Sequence, residues 1–147
     1  MIQVKLATVR DVQDLVAFGV KEKEENEVLP EIPVNFEDIS YWFAECIMSG
    51  GNYVFIAKEN EEICGFLVLT EMACPWNKNH TYLMDLMFLA RKGGLKLIRT
   101  AKALAKKKKM KSVVLSVSSK KERSNKLLNH ISQNLGGIYE IEVAQDE

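Results

Sequence analysis

The sequence predicts an α/β (α+β) fold, with a single mixed β-sheet flanked by helices. The central observation is the stretch from Thr81 to Val117, which has the pattern of a strand, a glycine-containing turn, a basic helix and a second strand. A second observation is the pair of apolar runs Tyr53–Lys58 and Ile63–Met72, which a short polar connection joins into a hairpin. One βαβ unit and one hairpin place parallel and antiparallel strands in the same sheet.

The first part of the chain predicts one strand and two helices. Apolar and polar residues alternate in Ile2–Leu6, as in a strand with one buried face. Thr8, with Asp11 three residues later, has the spacing of a helix N-cap, and a helix with apolar residues on one side follows. The charge run Lys21–Glu27 comes next and is expected to be solvated, as a helix end or a loop. Asn35 caps a second helix, which runs from Phe36 to about Met48 and is stopped by two glycines.

The middle of the chain predicts the rest of the sheet. Gly65, inside the second strand of the hairpin, indicates a bulge or a close approach of another segment. Ala73–Asn79 is rich in turn residues and predicts a loop. The run from Tyr82 to Leu89 is apolar except for Asp85, the pattern of a strand covered on both faces. After the basic helix, Val113–Val117 predicts the next short strand.

The end of the chain predicts one more helix, which starts at Ser124, and a final strand, Ile138–Val143. The 147 residues contain no internal repeat and no convincing linker. We therefore expect a single domain over residues 1–147.

Composition and cysteine spacing bound the class of protein. The chain is 47% apolar and 27% charged, which is ordinary for a soluble globular protein. No apolar run approaches the ~20 residues that span a bilayer, and the N-terminus lacks a signal-peptide core. Cys46, Cys64 and Cys74 share no metal-binding spacing and the two histidines lie far apart, so we expect neither a metal site nor a disulfide framework. These features favour a reducing cytoplasm.

Charge is divided sharply along the chain. The 20 basic and 20 acidic residues balance, but twelve of the basic ones lie between Arg91 and Lys121, where there is no acidic residue. The rest of the chain therefore carries a net charge of −12. The basic segment includes the turn Arg91–Gly94 before a helix, where free N–H groups and the helix dipole favour an anion. We expect an anionic ligand on this side of the protein.

Four short motifs occur in a recognisable order. Val4–Asp11 enters the first helix from a strand, and Val54–Phe66 forms the hairpin. Arg91–Lys96 resembles the signature R/Q-x-x-G-x-G/A, and Asn125 opens a helical motif that ends in leucine and glycine. Together the motifs resemble the GNAT (GCN5-related) N-acetyltransferase family along nearly the whole chain.

The resemblance implies that acetyl-CoA binds between the fourth and fifth strands. It assigns the pantetheine to backbone groups of Leu86, Met87 and Phe88. It assigns the pyrophosphate to the loop formed by Arg91, Lys92, Gly93, Gly94, Leu95 and Lys96, where the two glycines are expected to allow a close approach of the backbone. It also places Asn125 against the cofactor.

Asp85 is the candidate catalytic residue. A carboxylate in a buried strand costs free energy unless it is paired or lies on an open side of the sheet, and the resemblance places Asp85 where many members of the family carry a glutamate base. Glu71, at the end of the third strand, is an alternative base. Ser132 stands at the position of the family's tyrosine acid. Two tyrosines are stand-ins for that acid: Tyr82 and Tyr139.

The resemblance thus implies an enzyme that transfers an acetyl group from acetyl-CoA to an amine of a small molecule or a protein. Two alternatives stay open. The first is a protein of the same fold that binds CoA or a partner without catalysis. The second is a nucleic-acid-binding module that uses the basic helix, where the scarcity of aromatic residues favours only weak, non-specific binding. No membrane partner is expected, and the oligomeric state, a homodimer included, is open.

Overall fold

The computed structural model describes residues 1–27 and 30–116, and the fold is that of these residues. The strands are β1 Ile2–Leu6, β2 Asn52–Glu59, β3 Glu62–Cys74, β4 Asn77–Ala90 and β5 Ser112–Val114. The helices are α1 Val12–Glu25, α2 Phe36–Met48 and α3 Gly94–Lys107, with a 3₁₀ turn, Val9–Asp11, before α1.

The strands form one sheet in the order β1-β2-β3-β4-β5. Adjacent strands from β1 to β4 are antiparallel to one another. Strand β5 runs parallel to β4 because α3 carries the chain back across the sheet. The predicted fold class, a mixed sheet flanked by helices, is confirmed.

Helices α1 and α2 cover one face of the sheet. The ring of Phe66 lies at the centre of that face, fully buried, with ring centroids 5.9 Å from Phe18 of α1 and 5.3 Å from Phe43 of α2. Both contacts are edge-on, the arrangement that aromatic quadrupoles favour. Burial of a side chain of this size contributes about 2–3 kcal/mol, so these rings fix both helices on the sheet.

Helix α3 covers the other face. Leu97, Ala101 and Ala105 recur every four residues, are buried, and pack with the sheet residues Leu67 and Leu83 in one cluster. The alanines allow a close approach of the helix to the strands. The face of α3 that points away from the sheet carries its lysines.

The entry into α1 and the start of α2 follow the predicted caps. The N–H of Thr8 donates to Oδ2 of Asp11 at 2.8 Å, which forms the capping box. Burial acts to raise the pKa of Asp11, but the hydrogen bond from Thr8 and the charges of Lys5 and Lys58 outweigh it, so this pKa is lowered. In α2, the N–H of residue 38 donates to Oδ1 of Asn35 at 3.1 Å.

The β2–β3 hairpin is confirmed, with a two-residue turn in place of the four-residue connection expected. Asn60 and Glu61 both have positive φ, 52° and 67°, as in the turns that match the twist of antiparallel strands. Further along β3, Cys64 is an extra residue between the pairs Ala57↔Gly65 and Lys58↔Ile63. It forms a bulge next to Gly65, where one was expected.

The prediction of a loop over Ala73–Asn79 is wrong. Strands β3 and β4 continue through this segment and turn at Pro75 and Trp76, between the paired residues Cys74 and Asn77. Proline and asparagine indicated a loop, but the proline occupies a turn position and needs no ladder hydrogen bond. Pairing of β2 with β3 ends at Thr70, so Met72–Thr81 extends beyond the neighbouring strands, and we call it the arm.

Several sequence predictions lie outside the described residues. These are the last helix and strand, Asn125, Ser132 and Tyr139. The prediction of a single domain over residues 1–147 also reaches beyond them and stays a prediction. In residues 1–27 and 30–116, no helix is long and apolar enough to span a bilayer.

Candidate functional site

Strands β4 and β5 separate shortly after they meet. Their pairing covers Tyr82↔Ser112, Leu83↔Val113 and Met84↔Val114. From Leu86 to Ala90, the edge of β4 that faces away from β3 has no partner strand among residues 1–27 and 30–116. An unpaired strand edge presents backbone N–H and C=O groups, so this part of β4 can pair with an extended ligand.

A bulge lies at the point where the strands separate. Val68 pairs with Met87 and Leu69 pairs with Asp85, so Leu86 is an extra residue on β4. Leu86 is 47% exposed, in contrast to its neighbours on the strand. A bulge interrupts the ladder and turns backbone groups out of their regular positions, which sequence periodicity did not indicate here.

Asp85, the candidate base, precedes this bulge. It pairs with Leu69, which places it on the face of the sheet that α3 covers, and it is 4% exposed. The sequence prediction of a buried carboxylate in β4 is thus correct in position. Its catalytic role stays a prediction.

The turn between β4 and α3 is held by a single carbonyl oxygen. The N–H groups of Arg91 and Lys92 donate to the oxygen of Cys64 at 2.9 and 3.2 Å. Cys64 is the bulged residue of β3, so its carbonyl is free of the regular ladder. At the next residue, Gly65, a Cβ would lie 2.9 Å from Cβ of Ala90 and 3.0 Å from the oxygen of Lys92, so only glycine permits this approach.

Gly93 is required by packing inside the protein. It adopts φ +79°, and a Cβ there would lie 3.0 Å from side-chain atoms of both Ala57 and Ile2. Gly94 begins α3, and its Cβ would make ordinary contacts of 3.6 Å with Phe88 and 3.7 Å with Ala90. Packing against the sheet therefore explains the glycine at position 93, whereas the structure leaves room for a Cβ at position 94.

The cationic side chains of the turn are engaged with the protein. Arg91 bonds through its guanidinium group to Glu22 and Glu25 of α1. Lys92 Nζ donates to Oε1 of Glu59 at 2.9 Å, and Lys96 Nζ donates to the carbonyl of residue 2 at 2.5 Å. Glu22 is only 2% exposed, so the pair with Arg91 fixes the turn from the side opposite to α3.

Three backbone donors of the predicted loop stay available in the described residues. The first intrahelical bond of α3 runs from the N–H of Leu97 to the oxygen of Gly93. The N–H groups of Gly94, Leu95 and Lys96 precede it and have no helical acceptor. They lie at the positive end of the helix dipole, which favours an anion. An anion at this site would therefore bind to backbone N–H groups, because the cationic side chains of the turn already bond to other groups of the protein.

Comparison with solved structures places this arrangement in a known fold. A GNAT family acetyltransferase from Staphylococcus aureus matches with a TM-score of 0.69 at 16% identity, over 96% of this chain and 98% of that one. A predicted acetyltransferase from Clostridium acetobutylicum, solved with acetyl-CoA, gives 0.73 at 16%, over 97% and 96%. A transcriptional regulator from Bacillus halodurans C-125 gives 0.78 at 14%, over 99% and 100%.

The chain has the GNAT acetyltransferase fold. Similarity at 14–16% identity establishes the fold alone. No family model matches the sequence, and the search of curated proteins gives no match.

Within this GNAT fold, the structure groups the sequence-predicted site residues in two places. Leu86, Met87 and Phe88 lie on β4 beyond its pairing with β5, directly after Asp85. Arg91, Lys92 and Gly93 form the turn, whereas Gly94, Leu95 and Lys96 form the first turn of α3. Asn125 lies outside the described residues. In residues 1–27 and 30–116, no group of three or more His, Cys, Asp or Glu side chains could hold a metal ion.

The alternative base, Glu71, is held as a carboxylate. Its Oε1 accepts from the hydroxyl of Tyr53 at 2.9 Å and lies 2.9 Å from Nζ of Lys108. Lys108, and after it Tyr53, lower the pKa of Glu71. A carboxylate with a lowered pKa is a weaker base, so these two contacts make Glu71 less suited to take a proton.

Sequence reasoning missed Glu22 and the carbonyl of Cys64, which position the turn. Glu22 belongs to a run of charged residues that was expected to be solvated. Leu15 lies seven residues earlier in α1. This spacing corresponds to two helical turns, so Leu15 and Glu22 lie on the same face of the helix. Both are buried, so this spacing is the signal that could have indicated a buried glutamate.

Proposed function

We propose that the protein is an N-acetyltransferase that uses acetyl-CoA as acyl donor and an amine as acceptor. The main observation in support is that the pairing of β4 with β5 ends at Met84 and that β4 has a bulge at Leu86. In a GNAT fold, this is the opening in which the resemblance places the donor. The fold neighbour from Clostridium acetobutylicum, which was solved with acetyl-CoA, supports the choice of donor.

The residues present fit acetyl-CoA. The free N–H groups of Gly94, Leu95 and Lys96 suit the two phosphates of its pyrophosphate, because backbone donors at a helix N-terminus bind such anions. The unpaired edge of β4 suits the two amides of the pantetheine, which can pair as a short strand. Arg91 and Lys92 contribute through the shape of the turn, since their side chains bond to glutamates of the protein.

The chemistry divides between the donor and the chain. Acetyl-CoA supplies a thioester, whose acyl carbon bonds to the amine nitrogen as the carbon–sulfur bond breaks and CoA leaves as the thiol. A backbone N–H near the bulge at Leu86 would donate to the thioester oxygen, where negative charge develops. A thiol pKa near 8.5 makes the sulfur a tolerable leaving group at neutral pH, so the serine at position 132 does not preclude turnover.

We assign to Asp85 the role of the general base that takes the proton of the acceptor amine. The attacking amine must be neutral, and an aspartate carboxylate can take the proton directly or through one water molecule. Asp85 is 4% exposed and directly precedes the bulge at Leu86, so its side chain lies beside the backbone groups that would hold the thioester.

Two variants of Gly94 test the donor site. Gly94→Pro removes the N–H at the first helical position, while Gly94→Ala adds a Cβ and keeps the N–H. Because a proline disfavours the ψ of 7° at Gly93, circular dichroism and Tm first establish that both variants keep the fold. Loss of one hydrogen bond to a charged group costs about 1.5–3 kcal/mol. Calorimetry should therefore show acetyl-CoA affinity lowered by at least tenfold in Gly94→Pro and nearly unchanged in Gly94→Ala. Equal affinities in two folded variants would place the pyrophosphate elsewhere.

A variant of Asp85 tests catalysis. Asp85→Asn keeps the shape of the side chain and removes the base, so kcat should fall about 10²-fold while acetyl-CoA affinity changes less than twofold. The assay follows CoA release with polyamines, amino acids, aminoglycosides and basic peptides as acceptors. Full activity in Asp85→Asn would leave another group, or bulk water, to take the proton.

The second candidate is a protein of the same fold that binds CoA or a partner without catalysis. The engaged side chains of the turn and the fold neighbour that is a transcriptional regulator favour it. Saturable acetyl-CoA binding without acceptor-dependent CoA release across the panel would select this candidate. The cytoplasmic location and the oligomeric state stay expectations from the sequence.

A further inference from the structure

We propose that the arm and the C-terminal end of α3 form a binding surface for single-stranded nucleic acid. This surface lies at the end of α3 opposite to the candidate donor site. It consists of the arm, Met72–Thr81, and five exposed lysines: Lys102, Lys106, Lys107, Lys109 and Lys111. We call it the basic arm surface.

Two contacts bring the lysines to the base of the arm. Lys108 bonds to Glu71, the residue just before the arm, at 2.9 Å. The N–H of Lys111 donates to the oxygen of Thr81, the last residue of the arm, at 2.8 Å. The sequence alone did not show this proximity, because the arm was expected to be an irregular loop.

The exposed charges of this surface have one sign. Between Met72 and Ser116 the chain contains a single acidic residue, Asp85, which is buried in β4. Glu71, at the base, is paired with Lys108. A cluster of exposed lysines of this kind attracts a polyanion, and phosphate contacts by lysine supply most of the affinity of non-specific nucleic-acid binding.

The tip of the arm carries an aromatic ring suited to stacking. Trp76 is 95% exposed, which is unusual for the largest apolar side chain. In strands of β geometry, the three residues from Ala73 to the tip span about 10 Å, the length of roughly three stacked nucleotides at 3.4 Å each. One single-stranded nucleic acid can therefore bind its phosphates to the lysines where the arm begins and stack a nucleobase on Trp76. Other single-strand-binding proteins use aromatic side chains in this way.

The surroundings of Trp76 favour nucleic acid over a membrane. A membrane-inserting tip carries several apolar residues, whereas the residues after this tryptophan are Asn77, Lys78, Asn79 and His80, all exposed. Insertion would remove these polar groups from water at a cost in free energy. Beside a nucleic acid, they are donors and acceptors for phosphates and base edges.

Fluorescence anisotropy with a labelled 15-nucleotide single strand of mixed sequence tests the aromatic contact. Stacking on one side chain changes affinity by roughly five- to 150-fold, so Trp76→Ala should weaken binding at least fivefold. Tyr41→Ala, which removes another exposed aromatic ring on α2, is the control and should change affinity less than twofold. Equal effects of the two substitutions would overturn the proposal.

The salt dependence tests the charge contact. Each phosphate contact on a single strand contributes about 0.7 to the slope of log affinity against log salt. Lys107→Gln should lower that slope by about this amount, and Lys21→Gln, an exposed lysine of α1, should leave it unchanged. If both substitutions lowered the slope, or if neither did, the assignment of the phosphate contacts to the basic arm surface would be overturned.

Tryptophan emission tests the location directly. In a Trp42→Phe background, Trp76 is the remaining tryptophan of the chain, and its emission should be quenched as the single strand saturates the protein. Unchanged emission, tighter binding of a 15-base-pair duplex, or a response to anionic vesicles alone would each overturn the proposal. Because these residues are distinct from the donor site, either outcome leaves the acetyltransferase proposal to its own tests.

Discussion

Among single residues, Glu22 has the most unexpected role. Sequence placed it in a solvated charge run, but it is buried and bonds to Arg91, at the start of the turn before α3. A buried carboxylate is tolerated only with partners that satisfy it. Its second partner is the side-chain amide of Asn26, which donates to Oε2 at 2.9 Å. Glu22 therefore acts as a positioning residue for the candidate donor site.

A double-mutant cycle tests this role. Glu22→Gln should lower Tm by about 3–6 °C, because a hydrogen bond between charged groups is lost. Arg91→Gln should then add little, since residues of one pair are not additive. Thermal unfolding measures both. Glu24→Gln, an exposed neighbour in α1, is the control, and fully additive effects in the double variant would contradict the pairing.

Among the elements, the turn into α3 depends on which of two adjacent glycines is replaced. Gly93→Ala should destabilise the protein by about 2 kcal/mol, because positive φ costs about 1–2 kcal/mol for a residue with Cβ and the methyl group would crowd Ala57 and Ile2. Gly94→Ala should change stability by less than about 0.5 kcal/mol or raise it. Urea unfolding measures the difference, and equal effects would be inconsistent with this geometry.

Local signals explain which elements could be predicted. The observed bounds of α2, Phe36–Met48, agree with the prediction because the Asn35 cap, the amphipathic pattern and the closing glycines all lie within or directly beside the helix. The arm was missed because its strand pairing is a contact between segments, which turn residues alone do not report. For the same reason, the sequence indicated an anion site near Arg91 but could not show that Cys64 takes two of its N–H groups.

At the scale of the whole molecule, the ion pair between Glu71 and Lys108 makes the stability of the protein depend on pH. Glu71 joins β3 to the end of α3, and Lys108 and Tyr53 lower its pKa from the ordinary 4.5. A lowered folded-state pKa contributes stability that is present above pH 4.5 and is lost as pH falls through the folded value. Acid should therefore weaken the attachment of α3 to the sheet.

Thermal unfolding at pH 7 and pH 3 measures this attachment. Glu71→Gln should lower Tm at pH 7 and change it little at pH 3, so the drop in Tm between the two pH values becomes smaller. Glu62→Gln, an exposed residue at the start of the same strand, should leave the drop unchanged. A drop of the same size in Glu71→Gln as in the original chain would rule out this pair as a source of acid sensitivity.

Helix α3 is attached to the sheet at both ends. Lys96 and Gly93 hold its N-terminal end against Ile2 and Ala57, while Lys108 holds the far end against Glu71. A helix attached in this way has little freedom to hinge when a ligand arrives. Binding at its N-terminus then incurs little ordering entropy, and the on-rate should be set by diffusion and charge attraction, without a slow closing step.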